Sequence, residues 1–382
     1  MRPASRISRA LNILQRLYTT SPTPLNILFF GSDQFSIHSL NALHQLKNEA
    51  PDLIGGLRVV TKPTKKCGRN LSVTKTVPIA DFNAKLGLPP IIECDSREEM
   101  LGVVMKALQS ERYDMIVAVS FGKLIPKELL SKVPYTLNVH PSLLPRYKGS
   151  SPIQYALLEQ DDVTGVSIQT LHPEKFDCGK IIAQTQPLKL KKLLEETSVS
   201  ELDLSSYASS DATPKVNKLM DSLGYRGSEL LADVIRNRLY DSREGLVPPY
   251  AESYAPKITT QMRQIQWASD TALRTLSKFE ALGSTFALKE TGKKNHDTKL
   301  KRVIFHSLTR YESEPVPSTL GLQTGSFEYD ATQKCAALRF SDGNCLKCTK
   351  IQFEGFKIES PEQFFKSLRK RCGTLSYKMN FV

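Results

Sequence analysis

Asn138 and His140 stand two residues apart in the short apolar run Leu137-Asn-Val-His140. On a strand, that spacing puts both side chains on one face. Pro141 ends the strand, and Pro145 stiffens the loop beyond it. Asp177 follows a later apolar run, in Phe176-Asp-Cys-Gly179. An amide, an imidazole and a carboxylate together suit acyl transfer. An Asn amide can donate to the oxyanion of a tetrahedral intermediate. An imidazole serves as acid, base or local cation near neutral pH. A carboxylate can orient that imidazole or move protons around it. Any one of these residues alone is more often an ordinary hydrogen-bonded side chain, so the reading rests on the trio with its loop.

Such a trio needs a frame. Leu25-Asn-Ile-Leu-Phe-Phe30 is an apolar run ending at Gly31-Ser32, and a helical pattern follows through Leu40, Leu43 and Leu46. Ile54 to Val60 is a second apolar run, and the order strand, helix, strand reads as an opening βαβ unit. Met115–Val119, Leu137–His140, Val166–Thr170 and Ile181–Gln184 read as further strands, with a helix over Glu98 to Leu108. The expectation is an α/β, Rossmann-like, open and largely parallel sheet with helices on both faces. Asn138 and His140 then lie at the carboxyl end of a parallel strand, where ligands bind in such sheets. Gly31-Ser32-Asp33 is not a dinucleotide fingerprint, because the further glycines are missing, and no nicotinamide cofactor is expected.

The rest of the chain divides by composition. Leu188 to Thr213 is polar and reads as a surface insertion, and Val216 to Leu239 is amphipathic and helical. Pro248-Pro249-Tyr250 breaks the pattern. The expected domains are a catalytic domain over 25–245, a linker over 246–262 and a C-terminal domain over 263–382. A helix through Leu273, Leu276 and Phe279 opens that last domain. The runs Val303–Leu308, Gly325–Tyr329, Ala336–Phe340 and Cys345–Phe353 follow as strands, with a turn at Asp342-Gly343. This pattern fits a small, oligonucleotide/oligosaccharide-type (OB-like) β-barrel.

The net charge of +13 is concentrated at the two ends. The first 24 residues carry Arg2, Arg6, Arg9 and Arg16, and no carboxylate precedes Asp33. Ile7, Leu11, Leu14 and Leu17 fall near helical spacing. Residues 1–24 therefore read as a mitochondrial transit peptide, giving an expected matrix location. The last 132 residues carry 21 Lys and Arg against 13 Asp and Glu. No apolar run approaches the roughly 20 residues of a membrane span. The seven cysteines are scattered. Cys345-Leu-Lys-Cys348 lacks a second ligand pair, so no metal is expected.

Asn138-x-His140 with Ser142-Leu-Leu-Pro145 and a downstream Asp-x-Gly resembles the formyltransferases that use 10-formyltetrahydrofolate. The fuller string, with Arg146-Tyr-Lys-Gly149 and Ser151-Pro-Ile-Gln154, is most similar to the branch acting on methionyl-tRNA. Ser120-Phe-Gly-Lys-Leu-Ile-Pro126 and Tyr254-Ala-x-Lys257 before Ile265-Gln-Trp267 extend the match. The resemblance implies that Asn138 stabilises the formyl oxyanion, and that His140 stabilises charge and handles a proton. It implies that Asp177 pairs with His140, and that the folate lies along Ser142, Leu143, Leu144 and Pro145. The nucleophile would be the α-amino group of methionine on initiator tRNA, with the folate as co-substrate and the enzyme a monomer. Gln266 stands where the family carries an acid, and Phe279-Glu-Ala-Leu-Gly283 replaces an aromatic, proline-rich turn.

The acceptor rests on two basic features. Lys62-Pro-Thr-Lys65-Lys66-Cys-Gly-Arg69 puts four cations into eight residues of a loop, which suits a phosphate-contacting arm. Lys65, Lys66 and Arg69 are the expected tRNA contacts, with Arg69 matching the family's arginine. The C-terminal domain adds clusters at Lys293-Lys294, Lys299 with Lys301-Arg302, and Arg369-Lys370-Arg371. The alternatives are a small-molecule formyltransferase, a formyl-folate hydrolase, or an inactive RNA-binding relative.

Overall fold

A computed structural model describes residues 23–67, 73–197, 202–292, 298–311 and 320–382. The basic leader, Arg69 and Lys293-Lys294 lie outside the described residues. The chain forms two compact units. The first runs to Ser150 and takes in Val163–Ser209 and Leu219–Tyr254. The second comprises Ser151–Asp162, Ser210–Lys218 and Ala255–Val382, so two short stretches from the middle of the chain cluster with its C-terminal part.

In the first unit, β1 (Leu25–Gly31) leads into helix α1 (Gln34–Glu49) and β2 (Ile54–Thr61). A hairpin of β3 (Lys65–Cys67) and β4 (Val73–Lys75) follows, then β5 (Ile92–Glu93), β6 (Met115–Val119), β7 (Tyr135–His140), β8 (Ser167–Gln169) and β9 (Ile181–Gln184). The seven-stranded sheet has the order β9-β8-β7-β6-β1-β2-β5. Pairings from β7 to β5 are parallel, whereas β8 pairs antiparallel with both β7 and β9. The largely parallel expectation therefore holds. β5 is an addition: at two residues it is too short for an apolar run to reveal.

The burial pattern explains the sheet. Every residue of β6 is buried, as is all of β1 except Asn26. Strands covered on both faces read as unbroken apolar runs. α1 begins where Asp33, in extended conformation, accepts the Ser36 amide through its side chain. The Gly31-Ser32-Asp33 turn is thus a helix N-cap. Burial pushes the Asp33 carboxyl up to about 6, although the Ser36 amide, Ser120 and Lys62 all favour its ionised form. A folded-state value above the unfolded one adds stability below pH 3.8 and loses it as pH rises through 6. Asp33→Asn keeps the cap and removes the burial cost. Part of Asp33 reaches solvent, so the expected gain in unfolding free energy at pH 7.5 is about 1–2 kcal/mol, against the ~3 kcal/mol of full burial. Urea titrations at pH 7.5 and below pH 4 check it: the gain should vanish in acid.

Helix α2 (Pro214–Arg236) packs on α1 through buried His38, whose Nε2 lies 2.9 Å from Asp221 Oδ1. Leu190–Glu195 forms a short helix within the segment expected to be a surface insertion, and Leu190 and Leu193 are buried.

In the second unit, α3 (Ala272–Leu282) precedes β10 (Thr285–Gly292) and β11 (Thr298–Phe305). Then come β12 (Thr309–Arg310), β13 (Phe327–Asp330), β14 (Cys335–Arg339), β15 (Cys345–Cys348), β16 (Ile351–Phe353) and α4 (Pro361–Cys372). One antiparallel sheet is β10-β11-β16 and the other β12-β15-β14-β13. Cys345–Phe353 reads as one strand in the sequence but is two, broken at Thr349-Lys350, where Ser307 Oγ accepts both amides. β10 and α4 are further elements that the apolar pattern does not announce. Lys289 interrupts the apolar run of β10, and it is fully buried because Glu290 and Leu375 carbonyls accept from its ammonium.

The core is aromatic. Phe381 stacks on Phe327 at 4.2 Å and on Trp267 at 5.7 Å, with Phe305, Phe340 and Phe364 in the same cluster. Part of the expected cationic surface is neutralised internally. The Arg371 side chain is buried in a two-point ion pair with Glu359, and Lys301 and Arg302 both face Glu354. Cys345 and Cys348 are buried free thiols.

Candidate active site

The site forms where β7 meets β8. On β7, Leu137 and Val139 are buried on one face, and Asn138 and His140 share the other. Asn138 sits directly across from Gln169 on β8. After β8 the chain turns through His172–Asp177 and returns as β9. Asp177 takes a left-handed conformation at φ +53°, which Asp tolerates better than most residues. Gly179 explains the Asp-x-Gly spacing. A Cβ there would lie 1.7 Å from the Thr170 carbonyl oxygen, so only glycine lets the turn close onto β8.

This closure places the Asp177 carboxylate at the centre. Oδ1 accepts from Gln169 Nε2 at 2.9 Å and from Asn138 Nδ2 at 3.3 Å. Oδ2 accepts from the Gly149 amide at 2.8 Å. The Gln169 amide is oriented by the Gly179 amide, which donates to Oε1 at 3.1 Å and so turns Nε2 toward the carboxylate. His140 Nδ1 lies 3.3 Å from Asp177 Oδ1, and both side chains are nearly buried. His140 Nε2 is 2.9 Å from the Tyr147 carbonyl. A carbonyl only accepts, so Nε2 carries a hydrogen. Nδ1 in turn faces a carboxylate oxygen.

Chemically, the cluster sets the His140 imidazole beside an amide. Asn138 Nδ2 has two hydrogens and Asp177 takes one, so the second is available to an oxyanion. Both groups are fixed before any substrate arrives, which is what makes such stabilisation effective.

The loop beyond β7 is pinned from below. Ser142 Oγ donates to the Arg146 carbonyl. Ser167 Oγ donates to the Ser142 carbonyl at 2.6 Å and accepts the Leu144 amide at 2.9 Å. Gln184 Nε2 donates to the Leu144 carbonyl at 2.8 Å. Ser142, Leu143 and Leu144 are buried, and the Leu144–Pro145 peptide is cis. These side chains therefore build the loop's foundation, and its outer side is backbone and Pro145.

The basic segment is less a loop than a hairpin: Lys65–Cys67 pairs antiparallel with Val73–Lys75, because alternating Val73-Thr-Lys75 suits a strand. Lys65 is ion-paired with Asp95 and remains mostly exposed. Lys66 lies on the first strand of the hairpin. Sequence reasoning missed Gln169, the Tyr147 carbonyl and the Gly149 amide. Gln169 is visible only once the β7–β8 register is known, and the other two are main-chain groups that no residue type announces.

The Formyl transferase family model matches residues 25–202. A mitochondrial methionyl-tRNA formyltransferase of Saccharomyces cerevisiae is 44% identical, over 94% of this chain and 93% of that protein. The human mitochondrial methionyl-tRNA formyltransferase is 31% identical over 69% of this chain, and the match spans 59% of the human protein. A HypX structure from Aquifex aeolicus in complex with tetrahydrofolic acid has a TM-score of 0.49 at 14% identity, covering 91% of this chain and 48% of that one. With near-full-length coverage of a relative this similar, the chain belongs to the methionyl-tRNA formyltransferase family.

Proposed function

We propose that the protein transfers a formyl group from 10-formyltetrahydrofolate to the free α-amino group of methionyl-tRNA, for initiation of mitochondrial translation. The observation that carries this reading is the fixed cluster of Asn138, His140 and Asp177. The neutral amine attacks the formyl carbon. Asn138, with His140 beside it, stabilises the oxyanion that develops on the formyl oxygen. The carbon–N10 bond then breaks, and one proton passes from the attacking nitrogen to N10. Asp177 holds His140 in place through this step and orients the relay water. No protein nucleophile enters.

A cavity of about 600 Å³ is lined by Asp95, Arg97, Lys123, Lys127, Pro173 and Glu174, among others; it borders the turn before Asp177, and none of Asn138, His140 or Asp177 lines it. That volume is within the range of ligand pockets, roughly 300–1,000 Å³. The outer side of Ser142–Pro145 offers the backbone along which the donor would lie.

The basic segment is the proposed acceptor arm, through Lys65, Lys66 and Arg69. Each phosphate contact adds about 0.9 to the slope of log affinity against log salt. Arg69→Ala is expected to weaken tRNA binding about tenfold at low salt and to reduce that slope by about one. Filter binding at several salt concentrations checks both effects, and an unchanged slope would remove Arg69 from the interface. The function itself is tested by incubating the protein with labelled 10-formyltetrahydrofolate, with and without methionyl-tRNA. Label should appear on the methionine of the tRNA. Formate release without tRNA dependence would overturn the reading in favour of a hydrolase.

A further inference from the structure

Tyr254-Ala-x-Lys257 belongs to a motif that the chemistry above leaves without a role. The residues leading into it, Glu252 to Tyr254, run alongside the catalytic loop as a strap. The Ser253 amide donates to the Pro145 carbonyl at 3.2 Å, and the Ser253 carbonyl accepts the Lys148 amide at 2.9 Å. Ser253 Oγ accepts the Tyr147 amide at 2.9 Å. Lys148 and Tyr254 form a parallel β-bridge. Glu252 Oε1 accepts from Lys148 Nζ at 3.0 Å and from the Tyr254 hydroxyl at 2.7 Å.

The opposite side of the same loop serves the catalytic cluster. Tyr147 directs its amide to the strap and its carbonyl to His140 Nε2. Lys148 directs its amide to the strap, and the next amide, of Gly149, goes to Asp177 Oδ2. Tyr147 to Gly149 are thus shared: one set of main-chain groups is fixed by Ser253, and the next set fixes the imidazole and the carboxylate. Two backbone hydrogen bonds flank Ser253, and neither takes the Tyr147 amide. The hydroxyl supplies the acceptor that a regular strand would have supplied.

We infer that Ser253 is a positioning residue for formyl transfer, acting through the Tyr147–Gly149 backbone on His140 and Asp177, with the Glu252–Lys148 ion pair supporting it. This rests on the proposed roles of His140 and Asp177. The Ser253 hydroxyl meets the Tyr147 amide, on the part of the loop that orients His140 and Asp177, so its effect should fall on kcat more than on KM. A displacement of the loop by a fraction of an ångström misaligns both groups at once.

The test compares Ser253→Thr with Ser253→Val in the full chain. The two side chains have the same shape, and only Thr keeps the acceptor for the Tyr147 amide. Thr should keep kcat within twofold of the parent. Val should lower it about 10- to 30-fold, with KM for both substrates within twofold. Equal activity of the two variants, or a rise in KM at unchanged kcat, would overturn the inference. Glu252→Gln covers the case in which Val does not fold, because the Glu252 side chain is about half exposed. It should lower kcat about threefold at constant KM, and a parental kcat would count against the strap. Absence of formyl transfer by the unmodified chain would instead defeat the proposed function, so the two failures are distinguishable.

Discussion

Asp177→Asn should lower kcat by about 10³-fold or more while leaving the fold intact. The carboxylate accepts three N–H donors, from Gln169, Asn138 and Gly149, and faces the imidazole with the same oxygen that takes two of them. An amide has one accepting end. Whichever way the substituted amide faced, its NH2 group would meet either the Gly149 amide or the Gln169 and Asn138 amides. Leaving such a buried donor unpaired costs about 1–3 kcal/mol. His140 would lose the carboxylate that faces its Nδ1 and holds the ring in place. Removing the orienting carboxylate of a catalytic imidazole typically costs about 10⁴ in rate. Single-turnover formylation with saturating substrates, alongside a thermal melt, checks this. A kcat within threefold of the parent would show that Asp177 is only structural.

Asn138→Ala should lower kcat by about 10²–10³-fold, which corresponds to ~2.7–4 kcal/mol of transition-state stabilisation for one oxyanion donor. Asn138 lies on a strand whose backbone is paired on both sides, to β6 and to β8, so truncation removes the amide without releasing the chain. KM for both substrates should change less than threefold, because the charge on the formyl oxygen appears only as the amine attacks. Steady-state kinetics for each substrate separates these quantities. A rise in KM with kcat preserved would assign Asn138 to ground-state binding.

The two variants also differ in what they leave behind. Without Asn138, the Asp177 carboxylate still accepts Gln169 and Gly149 and still faces His140. Without the carboxylate, all four groups lose their common partner. The larger loss at Asp177 follows from its central place, which the spacing of residues in the chain does not reveal.

The proposed site can be read in the sequence because it rests on residue types at short range. Asn138 and His140 fall on one face of a strand by the period of two, and Pro141 and Pro145 mark the loop that follows. The buried parallel strands announce themselves as apolar runs because both faces are covered. The acceptor end was partly legible through charge. There composition overstates the case: Arg371, Lys301 and Arg302 count toward a basic patch, yet each faces a glutamate in the folded unit.

What the sequence determined by itself is therefore the set of local facts: the strand carrying the amide and imidazole, the Asp-x-Gly turn and the basic segment. Tertiary structure alone decided which groups meet. Register across β7 and β8 puts Gln169 opposite Asn138. Closure of the Gly179 turn brings Asp177 within reach of both. Tyr147 and Gly149 contribute through main-chain atoms that every residue possesses, so no side-chain pattern could mark them. Ser253 stands 113 positions after His140 and is tied to it through a single residue of the loop, a link that exists only once the loop and the strap lie side by side.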